Sequence, residues 1–308
     1  MIDMHYDLLS ILYYCYIRND FTYVKSLQKN FNEQNVRGVI ANLYFMSEEE
    51  MSKEMAGHKI DVCEMFRIST ELFKEYFPNV SVVYSIEGSD YIKDATELQE
   101  LYDLGLRSIL LVWNNKNKYG SGPRSEMGLT TAGKEFLKQA VSLGIAIDLS
   151  HMNVNTFNDT VEFLHDLKEQ GLNPKVIVSH SDVADLFDHP RNISKKAIAS
   201  LKEFSPVMGL VSYSMFLSDK DEDILSLKDK YLKHIMEVVD ILGIDNVGVS
   251  TDDMGYDEVL FANKLDKIVF PYENLKKELT DLLSKVYNEE EIKKILESNI
   301  ENKLFREE

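Results

Sequence analysis

The amino-acid sequence predicts an α/β fold of the (β/α)8 TIM-barrel type. Eight short apolar runs recur along the chain, and each is followed by a stretch whose apolar residues repeat at three- and four-residue spacings. These are the periods of buried strands and amphipathic helices. No linker rich in Pro, Gly or Ser divides the 308 residues, and α/β barrels of this length often form one domain. An open, doubly wound sheet is the alternative arrangement of the same units.

Each predicted strand has the length and composition of a buried parallel strand. The eight strands are predicted at residues 2–8, 38–45, 80–87, 107–113, 144–151, 175–180, 207–213 and 246–252. Helical patterns such as 61–76 and 231–242 lie between them. The charged stretch 288–308 is predicted to add extra C-terminal helices to a single catalytic barrel domain spanning residues 1–308.

Composition excludes several classes of function. The chain has 52 acidic and 34 basic residues and a formal net charge of −18, so neither nucleic acid nor an anionic membrane is an expected partner. Its two cysteines, Cys15 and Cys63, form no CxxC pair, which predicts buried thiols in a reducing compartment. The first residues lack a secretion signal and no apolar run reaches the length of a membrane span, so we expect a cytoplasmic location.

Histidines and acidic residues concentrate at the C-terminal ends of the predicted strands. In chain order they are His5, Asp7, Glu87, His151, His180, Asp252 and Asp253. Because these ends converge on one mouth of a barrel, where barrel enzymes build their active sites, we expect the side chains to lie together. The other four histidines, His58, His165, His189 and His234, are predicted to be surface or capping residues.

This set of side chains suits two divalent metal ions. His5 and Asp7 are two residues apart on a strand and therefore point to the same face. His151 and His180 supply a second pair of nitrogens, and Glu87 can bridge two ions with its two carboxylate oxygens. Three imidazoles with carboxylates favour zinc, with manganese, iron or cobalt as alternatives. The alternative to metal binding is a structural role, in which the same residues fill the mouth of the barrel as a polar layer and hydrogen-bond to one another.

Two such ions would favour a hydrolytic reaction. A two-metal centre lowers the pKa of a bound water and so supplies hydroxide near neutral pH. The ions outweigh their carboxylate ligands in charge, so we expect an anionic substrate. Asp252 and Asp253 both qualify as the general acid and base, but neighbouring residues of a strand face opposite ways, so only one should point into the mouth.

The chain also carries six spaced segments, DMHYDLL, SIEG, GLTTAG followed by GIAIDLSH, VIVSHS, HPRNIS and NVGVSTDDMG. Together they resemble the motifs of the membrane (renal) dipeptidase family of binuclear zinc metallopeptidases. The resemblance implies that His5 and Asp7 bind the first zinc, that His151 and His180 bind the second, and that Glu87 bridges them. It also implies that Asp252 is the catalytic acid and base. Asp253 and Met254 depart from the family's D-x-D-G pattern.

The same resemblance implies three substrate contacts. Arg191 matches the arginine that binds the terminal carboxylate of the substrate, and a guanidinium fork suits a carboxylate. From the residues alone, Arg191 would be a surface residue. Tyr213 resembles a pocket tyrosine, with a core or rim aromatic as the alternative. Trp113 stands where animal members have a histidine and where bacterial relatives often have a tryptophan, so the chain resembles a bacterial-type member.

The predicted function is hydrolysis of the single peptide bond of small dipeptides, with a D-residue at the C-terminal position left open. A barrel amidohydrolase acting on another amide or a lactone and a non-catalytic binding barrel are the alternatives. The family likeness implies a homodimer. Residues 114–130 are predicted to be either a lid over the mouth or a flexible connection.

Overall fold

Eight parallel strands pair in chain order to form the central sheet. This is seen in a computed structural model, which describes residues 1–45, 60–253 and 269–306. The strands are β1 (Ile2–Tyr6), β2 (Gly38–Tyr44), β3 (Ser81–Glu87), β4 (Leu106–Leu110), β5 (Ala146–Asp148), β6 (Val176–Val178), β7 (Val207–Val211) and β8 (Val247–Ser250). His58 and Met254 lie outside the described residues.

The first and last strands meet and nearly close the sheet into a barrel. Tyr6 forms a parallel bridge with Asp253, and the backbone N–H of Asp252 donates to the carbonyl of His5 at 3.2 Å. Asp3 reinforces the seam, because its buried carboxylate accepts from the Thr251 backbone N–H at 3.0 Å and from the Thr251 hydroxyl at 2.6 Å. The predicted barrel is therefore confirmed, and the open doubly wound sheet is wrong.

Helices pack on the outside of the sheet. In the described ranges they are α1 (Leu8–Arg18), α2 (Thr22–Glu33), α3 (Val62–Tyr76), α4 (Ala95–Asp103), α5 (Thr131–Ser142), α6 (Val154–Glu169), α7 (Lys195–Ser200), α8 (Ile224–Leu242), α9 (Leu275–Leu283) and α10 (Glu289–Lys293). Helix α8 buries Leu227, Tyr231, Ile235 and Val238, whose spacing follows the helical period. None of the helices in these ranges combines the length and apolar composition needed to cross a bilayer.

Side-chain caps mark where several helices begin. Asn153 precedes α6 and accepts from the backbone N–H of Thr156 at 2.7 Å. Asp94, Thr130, Ser194 and Asp223 play the same part before α4, α5, α7 and α8. These oxygens satisfy backbone donors that have no partner within the helix.

The barrel interior changes from apolar to polar along the strands. Ile2, Met4, Ile40, Val83, Ile177 and Val207 form an apolar cluster toward the N-terminal ends, and Ile300 packs against it. Farther toward the C-terminal ends lie the fully buried polar residues Asn42 on β2, Ser85 on β3 and Ser179 directly after β6. Gly209 permits close packing here, because a Cβ at that position would lie 2.1 Å from the carbonyl oxygen of Ser179.

The C-terminal segment closes the apolar end of the barrel. After α10 the chain continues through two π-helical turns, Lys294–Ser298 and Glu301–Phe305. Leu304 and Phe305 pack against the apolar cluster inside the barrel. The predicted C-terminal helical segment is confirmed through Phe305, and it packs against the barrel.

Candidate active site

Three histidines surround Glu87 at the mouth formed by the C-terminal ends of the strands. Glu87 Oε2 lies 3.0 Å from His5 Nε2, whereas Oε1 lies 2.8 Å from His151 Nε2 and 3.7 Å from His180 Nε2. All four side chains are buried. The two oxygens of one carboxylate thus face different histidines, which come from the ends of β1, β5 and β6.

Two aspartates lie on the His5 side of this cluster. Asp7 Oδ1 and Asp252 Oδ1 are each 3.6 Å from His5 Nε2. Asp252 has a left-handed backbone with φ of +51°, whereas Asp253 bridges the backbone of Tyr6 at the barrel seam. Asp252 is therefore the neighbour that faces the mouth. His5 and Asp7 also reach the same point, as their spacing predicts.

The buried polar atoms of this cluster fit a cation. His5 Nε2, His180 Nε2 and Asp7 Oδ1 are buried and have no hydrogen-bond partner among the described residues. His5 Nε2 approaches Glu87 without the alignment that a hydrogen bond requires. Such atoms are costly to bury unless something else satisfies them. Two groups, His5 with Glu87 and His180 and His5 with Asp7 and Asp252, each bring three potential ligand atoms within 4.8 Å of one another.

The opposite nitrogen of each imidazole has a polar neighbour. Ser179 Oγ lies 2.8 Å from His180 Nδ1 and 3.4 Å from His5 Nδ1. Asn42 Nδ2 lies 3.0 Å from His5 Nδ1, and Asn114 Oδ1 lies 3.2 Å from His151 Nδ1. These contacts orient the three rings so that each Nε2 points toward Glu87.

Charge coupling inside the cluster is strong. Burial opposes ionisation of both groups, yet attraction to Glu87 and Asp7 holds the pKa of His5 well above its usual range. Attraction to His5 and His151 likewise holds the pKa of Glu87 well below its usual range. Burial, then Arg191, lowers the pKa of His151 to about 3, which favours the neutral ring that a metal ligand requires, whereas His5 would have to lose a proton to bind an ion.

The pKa of the Asp252 carboxyl is shifted in the opposite direction from that of Glu87. Burial raises the pKa of its carboxyl to about 8, and repulsion from Glu87 and Asp7 adds to the rise against attraction from His5 and Arg191. A carboxyl in these surroundings holds a proton readily near neutral pH, which suits a group that accepts and returns protons.

Arg191 lies inside the structure and next to the cluster. It is 8% exposed, its guanidinium donates to the carbonyl of His180 at 3.3 Å, and it stacks over Phe216 at 5.6 Å. The unaided prediction of a surface residue is therefore wrong, and the position implied by the family resemblance is the better one. The Arg191 side chain can present donors to an anion at the mouth.

Aromatic residues flank the mouth on two sides. The half-buried Trp113 contacts the ring of Tyr44 at 5.0 Å and lies 6.3 Å from the ring of His151. Tyr213 is buried and lies 6.3 Å from the ring of Phe216, beside Arg191. Both predicted aromatic residues therefore lie near predicted site residues.

Residues 114–130 are held against the start of α6. Asn153 Nδ2 donates to the carbonyl of Met127 at 2.9 Å, and the backbone N–H of Leu129 donates to Asp159 at 3.0 Å. The backbone N–H of Ser121 donates to the hydroxyl of Thr156 at 3.0 Å. These bonds favour a fixed wall at the mouth over a flexible connection, and the lid over the mouth stays a prediction.

Several residues of the site were not predicted individually. Asn42, Asn114, Ser179 and Phe216 act through contacts with residues far away in the sequence. Ser179 directly precedes a predicted ligand, which is the one available signal. The prediction for His234 needs correction, because this residue is buried and its Nδ1 accepts the backbone N–H of Val183 at 3.0 Å.

A parallel α/β barrel whose mouth gathers imidazoles and carboxylates with unsatisfied buried atoms has the architecture of a barrel metallohydrolase. The model of the membrane dipeptidase family, peptidase family M19, matches residues 64–306. The chain therefore belongs to this family of metallo-dipeptidases, which confirms the resemblance found in the sequence and favours an enzyme over a non-catalytic barrel.

The chain is also similar to individual curated proteins, some of which are named dipeptidases. An uncharacterized protein from the pqqA 5' region of Klebsiella pneumoniae is 29% identical over 61% of this chain and 69% of its own length. An uncharacterized dipeptidase of Schizosaccharomyces pombe is 29% identical over 59% of this chain and 43% of its own length. The chain spans 41–52% of three further curated relatives.

Solved structures show the same fold. A metallopeptidase from Rhodobacter sphaeroides, liganded with a phosphinate mimic of L-Ala-D-Ala, superposes with a TM-score of 0.75 at 21% identity. The superposition covers 99% of this chain and 98% of that one.

Proposed function

We propose that this protein is a metal-dependent dipeptidase that hydrolyses the peptide bond of dipeptides as a single catalytic barrel domain. The observation that carries the proposal is the position of Glu87, whose two oxygens face His5 on one side and His151 with His180 on the other. A carboxylate placed in this way can bind two cations at once. Family membership supplies the class of reaction.

The donor set determines which residues would hold the ions. His5 and Asp7 would hold one ion, His151 and His180 the other, and Glu87 would contact both. Nitrogen and carboxylate donors without thiolate suit zinc, with manganese, iron or cobalt as alternatives. When bound, such ions would polarise the peptide carbonyl and supply hydroxide near neutral pH.

The chain's own side chains would bind the dipeptide and move the proton. Arg191 offers a buried guanidinium to the C-terminal carboxylate, where two parallel hydrogen bonds can form. Asp252 accepts a proton from the attacking water and returns it to the departing amine, since its carboxylate lies beside His5 at the mouth. Trp113 and Tyr213 would limit the size of the two residues that enter.

The L-Ala-D-Ala mimic bound to the Rhodobacter relative makes dipeptides with a C-terminal D-residue the first candidates. Zinc as the metal in the cell and a homodimeric assembly are also part of the proposal. The thiols of Cys15 and Cys63 are buried and form no disulfide with each other, which supports a reducing, cytoplasmic location.

The test combines elemental analysis with a panel of L,L and L,D dipeptides. Purified protein should contain about two metal ions per chain and should lose hydrolysis with a chelator. Asp252→Asn should lower kcat about 100-fold or more while metal content stays unchanged. Full activity in metal-free protein would contradict the proposal.

Arg191→Ala separates a dipeptidase from an amidohydrolase acting on a neutral amide or lactone. It should lower kcat/KM for dipeptides by at least about 100-fold, because the carboxylate loses charge-assisted hydrogen bonds. A dipeptide amide, which lacks the terminal carboxylate, is the control substrate and should be affected much less. An equal loss for both substrates would argue against carboxylate binding by Arg191.

A further inference from the structure

The tautomer of each of the three histidines is set by the group that contacts its Nδ1 atom, on the side of the ring away from Glu87. A neutral imidazole that binds a metal through Nε2 carries its proton on Nδ1, and this proton needs an acceptor. His151 has such an acceptor in Asn114 Oδ1 at 3.2 Å. The other two rings, His5 and His180, both turn Nδ1 toward Ser179.

Ser179 contacts both rings with one oxygen. Its Oγ lies 2.8 Å from His180 Nδ1 and 3.4 Å from His5 Nδ1, and the residue is fully buried. A hydroxyl oxygen has two lone pairs and can accept two hydrogen bonds while donating a third. Ser150 Oγ, at 3.4 Å, can receive the Ser179 proton.

We infer that Ser179 is a positioning residue shared by the two proposed metal sites. Its hydroxyl accepts the Nδ1–H of both His180 and His5, so that both rings present an Nε2 lone pair to the ions. This inference rests on the proposed metal binding and adds the residue that links the two sites. Ser179 itself touches neither ion nor substrate.

The backbone holds this hydroxyl in place. Asp148 Oδ1 accepts from the backbone N–H groups of Ser150 and Ser179, each at 3.0 Å. The hydroxyl of Ser150 accepts from the backbone N–H of His180 at 3.1 Å. The backbone that carries the Ser179 hydroxyl is therefore anchored to the ends of β5 and β6.

The two rings depend on Ser179 unequally. His5 Nδ1 also faces the side-chain amide of Asn42 at 3.0 Å, and the Oδ1 of that amide is buried without a partner among the described residues. A half-turn of the amide would place Oδ1 as a second acceptor for His5 Nδ1, at the loss of the hydrogen bond that Nδ2 donates to the carbonyl of Ile40 at 3.3 Å. His180 Nδ1 has Ser179 as its one hydrogen-bond partner in the described part of the chain.

Loss of the hydroxyl should therefore weaken the His180 site more than the His5 site. Ser179→Ala removes the acceptor with little change in volume. Ser85→Ala is the matched control, because Ser85 is an equally buried serine of the barrel wall and its hydroxyl has no hydrogen-bond partner among the residues described. A merely structural effect of losing a buried hydroxyl would appear in both variants.

The first measurement is zinc affinity of the full chain by competition with a chromophoric chelator. We expect Ser179→Ala to bind one of its two ions about 10- to 100-fold more weakly than wild type, with a smaller loss for the other. Ser85→Ala should bind both ions as wild type does. Wild-type affinity at both sites in Ser179→Ala would overturn the inference.

The second measurement is the NMR spectrum of the zinc-loaded protein with 15N-labelled histidine. Wild type should show protonated Nδ1 on His5 and His180, and Ser179→Ala should shift these two signals while the His151 signal stays in place. Weaker zinc binding without such a shift would also overturn the inference. If Ser179→Ala fails to fold, the wild-type spectrum alone tests the inference. An unprotonated Nδ1 on His180 in wild type would then overturn it.

These outcomes are separable from a failure of the proposed function. A protein that binds two ions and shows the expected spectrum but cleaves no dipeptide would contradict the dipeptidase proposal and leave the role of Ser179 intact. If the wild type cleaves dipeptides but Ser179→Ala binds zinc with unchanged affinity, the role of Ser179 is contradicted and the dipeptidase proposal stands.

Discussion

At the scale of single residues, the surroundings of each ring nitrogen distinguish the histidines. His5, His151 and His180 direct Nε2 toward Glu87, whereas His234 is equally buried but uses Nδ1 to accept a backbone N–H. His234 follows Tyr231 by three residues on α8 and shares its buried face. The helical spacing therefore contained the signal for its burial, which the predicted surface or capping role missed.

His234 should make stability depend on pH. Burial, then Lys230, lowers its pKa from 6.5 to about 4 in the folded protein. As pH falls from 6.5 to 4, the unfolded chain takes up the proton first, so folding stability is lost by up to about 3 kcal/mol. Denaturant unfolding at pH 7 and pH 4.5 should show a smaller pH-dependent loss in His234→Asn than in wild type, because Asn keeps an acceptor but does not titrate.

The control for this experiment is His165→Asn. The His165 side chain is 34% exposed on α6, so its replacement removes a histidine but leaves the contact between His234 and Val183 in place. If His234→Asn and wild type lose stability in parallel between the two pH values, the buried imidazole does not contribute the expected linkage.

At the scale of elements, the order of strands and helices was predictable and the exact strand ends were not. The fifth strand was predicted at 144–151 but spans only Ala146–Asp148. The sheet ends early because the chain turns to bring side chains to the mouth, and His151 there has a left-handed φ of +67°. Periodicity locates a strand but does not encode where its last residues leave the ladder.

The clustering of the predicted ligands could be predicted because each lies near or just beyond the C-terminal end of a strand, and barrel topology brings these ends together. The supporting contacts could not be found in this way, because they depend on side-chain packing between distant segments. Ser179 and His5 are 174 residues apart, and Asn42 and His5 are 37 apart. The attachment of residues 114–130 to α6 likewise depends on contacts with no periodic signature.

Asn153→Ala tests whether that attachment matters for substrate binding. Asn153 caps α6 and also donates to the carbonyls of Ser125 and Met127. Loss of the cap should cost about 1 kcal/mol of stability. Because the released segment carries Asn114, which faces His151, and adjoins Trp113, KM for the best dipeptide should rise severalfold.

Ser194→Ala is the comparison variant at this scale. Ser194 caps α7 through the backbone N–H of Ala197 at 3.3 Å. It should lose a similar amount of stability without a change in KM. A KM for Asn153→Ala equal to that of Ser194→Ala would favour the simple connection over a fixed wall.

At the scale of the whole molecule, the proposed ligands tie distant parts of the barrel together. They come from the ends of β1, β3, β5 and β6, so ions bound there would hold four strands whose positions in the sequence extend from His5 to His180. The chain carries a net charge of −18, yet Arg191 and the proposed ions concentrate positive charge at the mouth. The positive charge would therefore attract an anionic dipeptide to the mouth of the barrel.

Metal binding should consequently stabilise the entire fold. The Nε2 atoms of His5 and His180 have no hydrogen-bond partner within the described residues and are costly to bury without a cation. Each ion present at 100 times its dissociation constant should add about 2.7 kcal/mol to the free energy of unfolding. We expect a chelator to lower the thermal midpoint of wild type by several degrees, as scanning calorimetry would measure. The variant His5→Asn/His180→Asn should show no such shift, because it lacks a ligand of each ion. An equal chelator effect on both proteins would mean that the stabilising ions bind elsewhere in the molecule.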